Sequence, residues 1–271
     1  IFPVWDMIVV SFSRAEDVSV IRANLWPKVW DAGAYQYVFS NSIVWTGLMN
    51  SAIRTIFGTL YHLIVCCLAA YALTRRQMPF LKPITIIFLI TMFFSGGIIP
   101  TYLNMKNLGL LDNFLVYILP SGFSMYNTLI IRNYFLSIDQ SLEDAATIDG
   151  ASMLQTMFLI ILPLSKPVLA TITLWQMVGQ WNSWFDNMIY VRPEKLITIQ
   201  YYLRRLSTNV TEMQDQMSRM GIYGTDQTAY SYTPDTVVAA TTVITIIPIV
   251  LIYPFLQKYF VAGIMTGAIK G

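Results

Sequence analysis

Four stretches of this chain, Ala52–Leu73, Pro83–Leu103, Asn113–Ile131 and Val237–Phe260, are predominantly apolar and, apart from Arg54, nearly free of charge. An α-helix needs about 20 consecutive, mostly apolar residues to cross the hydrocarbon core of a bilayer. In lipid every backbone polar group must be satisfied inside the segment, so such stretches fold as helices. The expectation is an all-α integral membrane protein. Composition agrees, because only 12% of the 271 residues are charged, against roughly 25% in a soluble domain. Mean hydropathy is +0.55.

A fifth stretch, Pro167–Val191, is also long and apolar, with polar and aromatic residues in its second half. Ile1–Phe12, reading IFPVWDMIVVSF, is too short to span and lacks the charged leader of a signal peptide. It reads as the outer end of a first span whose start precedes residue 1. Six transmembrane helices, the first truncated, then make one domain over residues 1–271.

Orientation follows from short loops, where Lys and Arg mark the cytoplasmic side. Arg75, Arg76 and Lys82 stand between the second and third spans with no acid among them. That loop is assigned to the cytoplasm, and alternation adds Arg132–Lys166, Lys258 and Lys270. The outer side receives Ser13–Asn41, Asn104–Asp112 and the long segment 192–235. That segment is polar, carries Arg204, Arg205 and tyrosines 201, 202, 223, 230 and 232, and reads as a folded loop or cap.

A net charge of +2 without any basic stripe argues against nucleic acid as a partner. Cys66 and Cys67 are neighbours in an apolar run and read as small filler. No tandem period suggests a solenoid.

Residues 141–163 interrupt the apolar pattern. Glu143, Asp144 and Asp149 crowd ahead of Gly150, and an apolar run leads to Pro163. Ser141 with Asp144 three residues on has the form of a capping box. Acids favour a helix start through its dipole, and Gly150 is placed to end the helix in a left-handed turn. A second helix from about Ser152 sets Met153, Met157, Ile160 and Ile161 at helical spacing, until Pro163 and Pro167 break it. The outcome is helix, Gly turn, helix. Adjacent carboxylates point about 100° apart around a helix, so Glu143 and Asp144 do not share a proton or an ion. The one histidine, His62, lies in another span, so no catalytic dyad or metal site is expected. A short amphipathic helix offered to a partner groove fits better.

Asp144-Ala145-Ala146, Gly150, Ile160 and Leu162-Pro163 reproduce the acid-Ala-Ala, Gly, Ile, Leu-Pro spacing of permease subunits of binding-protein-dependent ABC importers. The chain resembles that family over nearly its whole length, from FPVWDMIVVSFS through AAYALTRR and PTYLNMKNLGLLDN to QKYFVAGIMTGAIKG. The stretches SLEDAATIDGAS and LPLSKPVLATITLW are similar to the sugar-importing branch, which includes the maltose permease subunit. FFSGGIIPTYLNMKNLGLLDNFLVYILP and QWNSWF resemble the oligosaccharide and alginate importers within it. Asp144 stands where the family usually has Glu. The resemblance implies a cytoplasmic coupling helix seated in a cleft of an ATPase, with Glu143, Asp144, Ala145, Ala146, Asp149, Gly150 and Ala151 at the contact. It also implies two ATPase subunits, a second permease subunit of a different sequence, and an extracytoplasmic solute-binding protein meeting residues 192–235. The protein would lie in a bacterial inner membrane among lipid, with ATP and Mg held by the partner ATPases and no cofactor of its own.

In the fifth span, Gln176, Gln180, Trp181, Asn182, Trp184 and Asp186 form a polar and aromatic stretch. Polar groups at membrane depth are costly unless they face protein or water. They read either as a wall of the translocation path or as an aromatic belt with helix–helix hydrogen bonds. Arg54 either snorkels to the headgroups or supplies a cation for an acidic sugar. His62 reads as a packing hydrogen-bonder, and Gly96-Gly97 as a break in the third span. No Gly-x4-Gly-Lys-Ser/Thr loop occurs, so the chain is expected to be no enzyme. A stand-alone secondary transporter or channel is the alternative, and it would need paired ionisable residues inside the spans.

Overall fold

The structure, a computed structural model, describes residues 2–18, 26–75, 77–219 and 233–268, with side chains described except at 15, 16, 210–219, 253 and 255–268. Arg76, Lys258, Lys270, Tyr223, Tyr230 and Tyr232 fall outside the described side chains. In chain order the helices are α1 (Phe2–Ser11), α2 (Ala15–Val18), α3 (Gly33–Ser40), α4 (Ser42–Thr74), α5 (Leu81–Phe93), α6 (Ile98–Asn107) and α7 (Met125–Leu136). After them come α8 (Gln140–Ile148), α9 (Met153–Thr156), α10 (Leu162–Leu164), α11 (Lys166–Asn182), α12 (Phe185–Tyr190), α13 (Ile199–Arg219) and α14 (Pro234–Ala268). Among the described residues there is no strand, only an isolated bridge between Ser13 and Trp30.

The all-α membrane reading holds, whereas the spans differ in detail from the sequence expectation. Ala52–Leu73 lies inside the 33-residue α4, which begins earlier. Together with Pro234–Ile252 of α14 it is long and apolar enough to cross a bilayer, and two bent pairs could raise the number to four. Pro83–Leu103 is one of these pairs: α5 and α6 meet at 118°. The break falls at Gly96-Gly97, with Gly97 at φ 84°, a backbone state that costs a glycine little. Asn113–Ile131 is not a single helix. It opens as a short 3-10 turn, Phe114–Tyr117, capped by Asn113. Pro120 cannot donate to a continuing ladder, and Ser124 caps the start of α7. Pro167–Val191 divides into α11 and α12.

The chain packs as two compact units. Residues 1–52 and 182–252 form the first. There the loop before α13 is stitched to the start of α4: Asn50 donates to the carbonyls of Lys195 (2.9 Å) and Ile197 (2.8 Å), and the Ile199 amide donates to Ser51 (3.0 Å). Asn41 donates to the Tyr202 hydroxyl at 3.0 Å. Burial pushes that phenol above the usual tyrosine range, so it stays a neutral partner. The segment 192–235 thus holds the helix α13 rather than plain loop, and its residues 220–232 lie outside the described ones.

Residues 53–181 and 253–271 form the second unit. Its core joins Cys66, Cys67, Ala70 and Tyr71 of α4 to Ile131 and Phe135 of α7, Met157 and Ile161, and Val168 and Ile172 of α11. Lipid is as apolar as these side chains, so close packing rather than water exclusion holds such helices together. The small Cys66, Cys67 and Ala70 allow that approach. Both cysteines are free and buried.

Candidate functional site

The helix–Gly–helix expected over residues 141–163 is present, with one correction at its start. Asp139, not Ser141, caps α8, and its Oδ1 accepts from the Ser141 amide at 2.9 Å. An aspartate is as good a cap as a serine. It comes two residues sooner, so Asp144 lies beyond the reach of a return bond. The capping box exists one helix later: Ser152 Oγ accepts from the Gln155 amide at 3.3 Å, and Gln155 accepts from the Ser152 amide at 2.8 Å. Between them Gly150 takes φ 80°. Its amide bonds the Thr147 carbonyl (3.1 Å) and the Ala151 amide reaches back to Ala146 (2.9 Å), the paired bonds of a Schellman stop.

Residues 157–161 then widen into a π turn, with the Leu162 amide bonded to the Met157 carbonyl. Pro163 has no amide for the regular ladder, which accounts for the wider turn. The segment Met153–Leu164 meets α11 at 82°.

α8 carries two faces. Ala146 is buried and Glu143 half-buried, one turn apart on the inner side. Glu143 pairs with Arg75, at the end of α4, at 2.5 Å. Asp144, Ala145, Asp149 and Gly150 are exposed, Ala151 is half-buried, and Ile148 is 85% exposed. Of the second helix's expected apolar positions, Met157 and Ile161 enter the core while Met153 is exposed.

A second cluster forms in the same unit, about Arg54 and Gln180. Arg54 is 2% exposed and donates to Gln180 Oε1 from Nε (3.1 Å) and Nη2 (3.0 Å), with its guanidinium 4.6 Å over the Tyr117 ring. It does not snorkel to the surface of this unit. Gln180 Nε2 in turn donates to Ser121 Oγ at 2.5 Å. The Ser121 carbonyl takes His62 Nδ1 at 2.7 Å, and His62 Nε2 faces Asn127 Nδ2 at 2.9 Å. These contacts hold the His62 ring between the Ser121 carbonyl and the Asn127 amide. His62 is therefore a packing hydrogen-bonder, as its sequence setting suggests. Gly58 makes the cluster possible: a Cβ there would lie 2.8 Å from Gln180 Nε2. Among the described residues no group of His, Cys, Asp and Glu could hold a metal ion.

The other polar residues of the fifth span are placed separately. Trp181 is buried, while Gln176 is half-buried. In the first unit Asn182 is exposed and accepts from Gln200 at 3.3 Å. Asp186 takes the Ser183 hydroxyl at 2.8 Å, at the start of α12. Arg204 lies 5.2 Å over the Trp184 ring. The structure brings Arg54 and Gln180 together, and within the first unit it gives Asn182, Trp184 and Asp186 partners of their own. Sequence reasoning did not single out Ser121, Asn127 or Tyr117, which it counted as span interior. Pro120 and Gly122 beside Ser121 were the available sign of a break. Arg75 was read for its charge alone.

Residues 76–266 match the family described as binding-protein-dependent transport system inner membrane component. A polygalacturonan/rhamnogalacturonan transport system permease protein of Bacillus subtilis is 37% identical, aligned over 100% of this chain and 93% of its own. Among solved structures, a chain of a bacterial ABC transporter involved in import of the acidic polysaccharide alginate is 36% identical. It superposes with a TM-score of 0.84 over 96% of this chain and 90% of that one. A chain from a bacterial alginate ABC transporter, in complex with an alginate pentasaccharide-bound periplasmic protein, shares the fold at a TM-score of 0.55. It is 14% identical over 84% of this chain and 82% of that one.

Proposed function

Because this chain belongs to the family of binding-protein-dependent transport system inner membrane components, we propose that it is the permease subunit of an ATP-driven oligosaccharide importer, with α8 as its coupling helix. The observation that carries this reading is the two-faced α8. Asp144, Ala145 and Asp149 are offered outward, on a helix stopped by Gly150 and seated by Ala146. Small alanines allow a partner to approach closely, and surface acids set register on a basic rim. The substrate class is an acidic oligosaccharide. The relatives at 37% and 36% identity carry polygalacturonan/rhamnogalacturonan and the acidic polysaccharide alginate in their descriptions.

The working complex pairs this chain with a second permease subunit, two ATPases that bind ATP and Mg, and an extracytoplasmic solute-binding protein that meets residues 192–235. Six passes through a bacterial inner membrane would count the α5–α6 and α9–α11 bent pairs as one pass each and recruit α1 and the 114–136 region. Alternating access follows if ATPase closure displaces α8. Gln176, Gln180, Trp181, Asn182, Trp184, Asp186 and Arg54 are proposed to border the path. Arg54 and Gln180 would do so by holding its wall in shape rather than by touching sugar.

Reconstitution in liposomes with ATPases, second permease and binding protein tests this reading. ATP-dependent uptake of acidic oligosaccharides is expected. Uptake by this chain alone, without ATP, would overturn the reading in favour of a stand-alone transporter.

A further inference from the structure

Arg75 follows the last residue of α4, and two side-chain contacts hold it there. Its Nη1 pairs with Glu143 Oε2 at 2.5 Å, and the two side chains are only 27% and 15% exposed. Its guanidinium lies 4.1 Å over the ring of Tyr71, itself part of the core with Phe135, Met157 and Ile161. The neighbouring Leu73 carbonyl is taken by Arg132 Nε of α7 at 2.8 Å, so two cations gather at the negative end of the α4 dipole. An exposed ion pair such as Arg205–Glu194, 41% and 62% exposed, contributes little. The Arg75 pair is shielded and backed by a packed ring.

Only part of the fork is used. Among the described residues, Arg75 Nε and Nη2 are buried without a hydrogen-bond partner. A guanidinium matches a carboxylate with two parallel bonds, and buried donors left unmade are costly. Glu143 therefore grips one end of a fork that could hold it by two. A carboxylate shifted along that edge would keep the charge pair and gain a bond, so the link can survive a displacement of α8.

We propose that Arg75 is a positioning residue for transport, fastening the inner face of α8 to the end of α4 so that movement imposed on α8 is delivered to α4. The proposal rests on the reading of α8 as the ATPase contact. It separates the two acids of the motif: Asp144 faces the partner, while Glu143 transmits within the chain.

The test uses the complete complex in liposomes and reads sugar imported per ATP hydrolysed. Arg75→Gln and Glu143→Gln are each expected to lower that ratio roughly tenfold, within the range carried by contiguous coupling networks, with the ATPase still assembled. The double variant should be no worse than either single, and the exchange Arg75→Glu with Glu143→Arg should recover part of the loss. A normal ratio in Arg75→Gln, losses that add in the double variant, or failure of all four to assemble would overturn the proposal. Ala145→Trp distinguishes the underlying reading. If it leaves uptake coupled, α8 is not the ATPase contact. If it uncouples while Arg75→Gln does not, only the role of Arg75 fails.

Discussion

Gln180 lies across α4 only because residue 58 has no side chain. A Cβ at Gly58 would approach Gln180 Nε2 to 2.8 Å, and Gln180 cannot simply swing aside, because it holds Arg54 and Ser121. Gly58→Ala should therefore weaken the two bonds that Gln180 makes to the buried Arg54, at a cost of about 1–3 kcal/mol for a buried hydrogen bond lost. Lower thermal stability of the detergent-solubilised chain, with unchanged membrane insertion, is the expected measurement. Gln180→Ala should match it, and Gly58→Ala should add little to Gln180→Ala because both break one contact. Arg54 and Gln180 each stood out in the sequence as polar residues in apolar surroundings. Their partnership did not, since their separation along the chain carries no periodic signal. Ser121 and Asn127 were hidden by the same cause, inside a stretch whose average hydropathy masks its turn.

α8 and α9 were the most legible elements, because their ends are set by local chemistry. Gly150 needs positive φ, and Ser152 with Gln155 needs only a three-residue spacing. The start of α8 was misplaced by two residues, since Asp139 and Ser141 are both competent caps and the sequence does not rank them. Asp139→Ala should cost about 1 kcal/mol of helix stability, read as faster amide exchange over residues 140–143. Gly150→Pro should act more strongly. Proline fixes φ near −65°, the opposite sign from the 80° observed, and it removes the amide that bonds Thr147. Insertion should persist while ATP-driven uptake falls to background. Coupled uptake in Gly150→Pro would remove α8 from its assigned role. The spans were less legible than these caps. Hydropathy detects that a segment is apolar and not that it turns, which is why α5 and α6 meet at 118° inside one apolar stretch.

Within the second unit the two ends of one chain of contacts meet on α4. Arg75 joins its end to α8, and Arg54 joins it to Gln180 on α11, which α9 and α10 reach through the π turn and the 82° bend. A load on α8–α9 thus has two routes into α4, one ionic and one through the covalent chain. This arrangement bears on the energy source. A secondary transporter couples to an ion gradient through intramembrane groups that change charge. In α4 the described candidates are Arg54, a guanidinium that keeps its charge, and His62, whose buried ring is held between the Ser121 carbonyl and Asn127. Arg54 has no proton to exchange, and His62 is enclosed by packing contacts. Uptake by the reconstituted complex should therefore be unchanged when an ionophore collapses the proton and sodium gradients, and should stop when ATP is withdrawn. Asn127→Asp sharpens the test, because an acid facing Nε2 would favour a charged imidazole and make uptake depend on pH. Ionophore-sensitive uptake in the unmodified complex would place the energy source in a gradient instead.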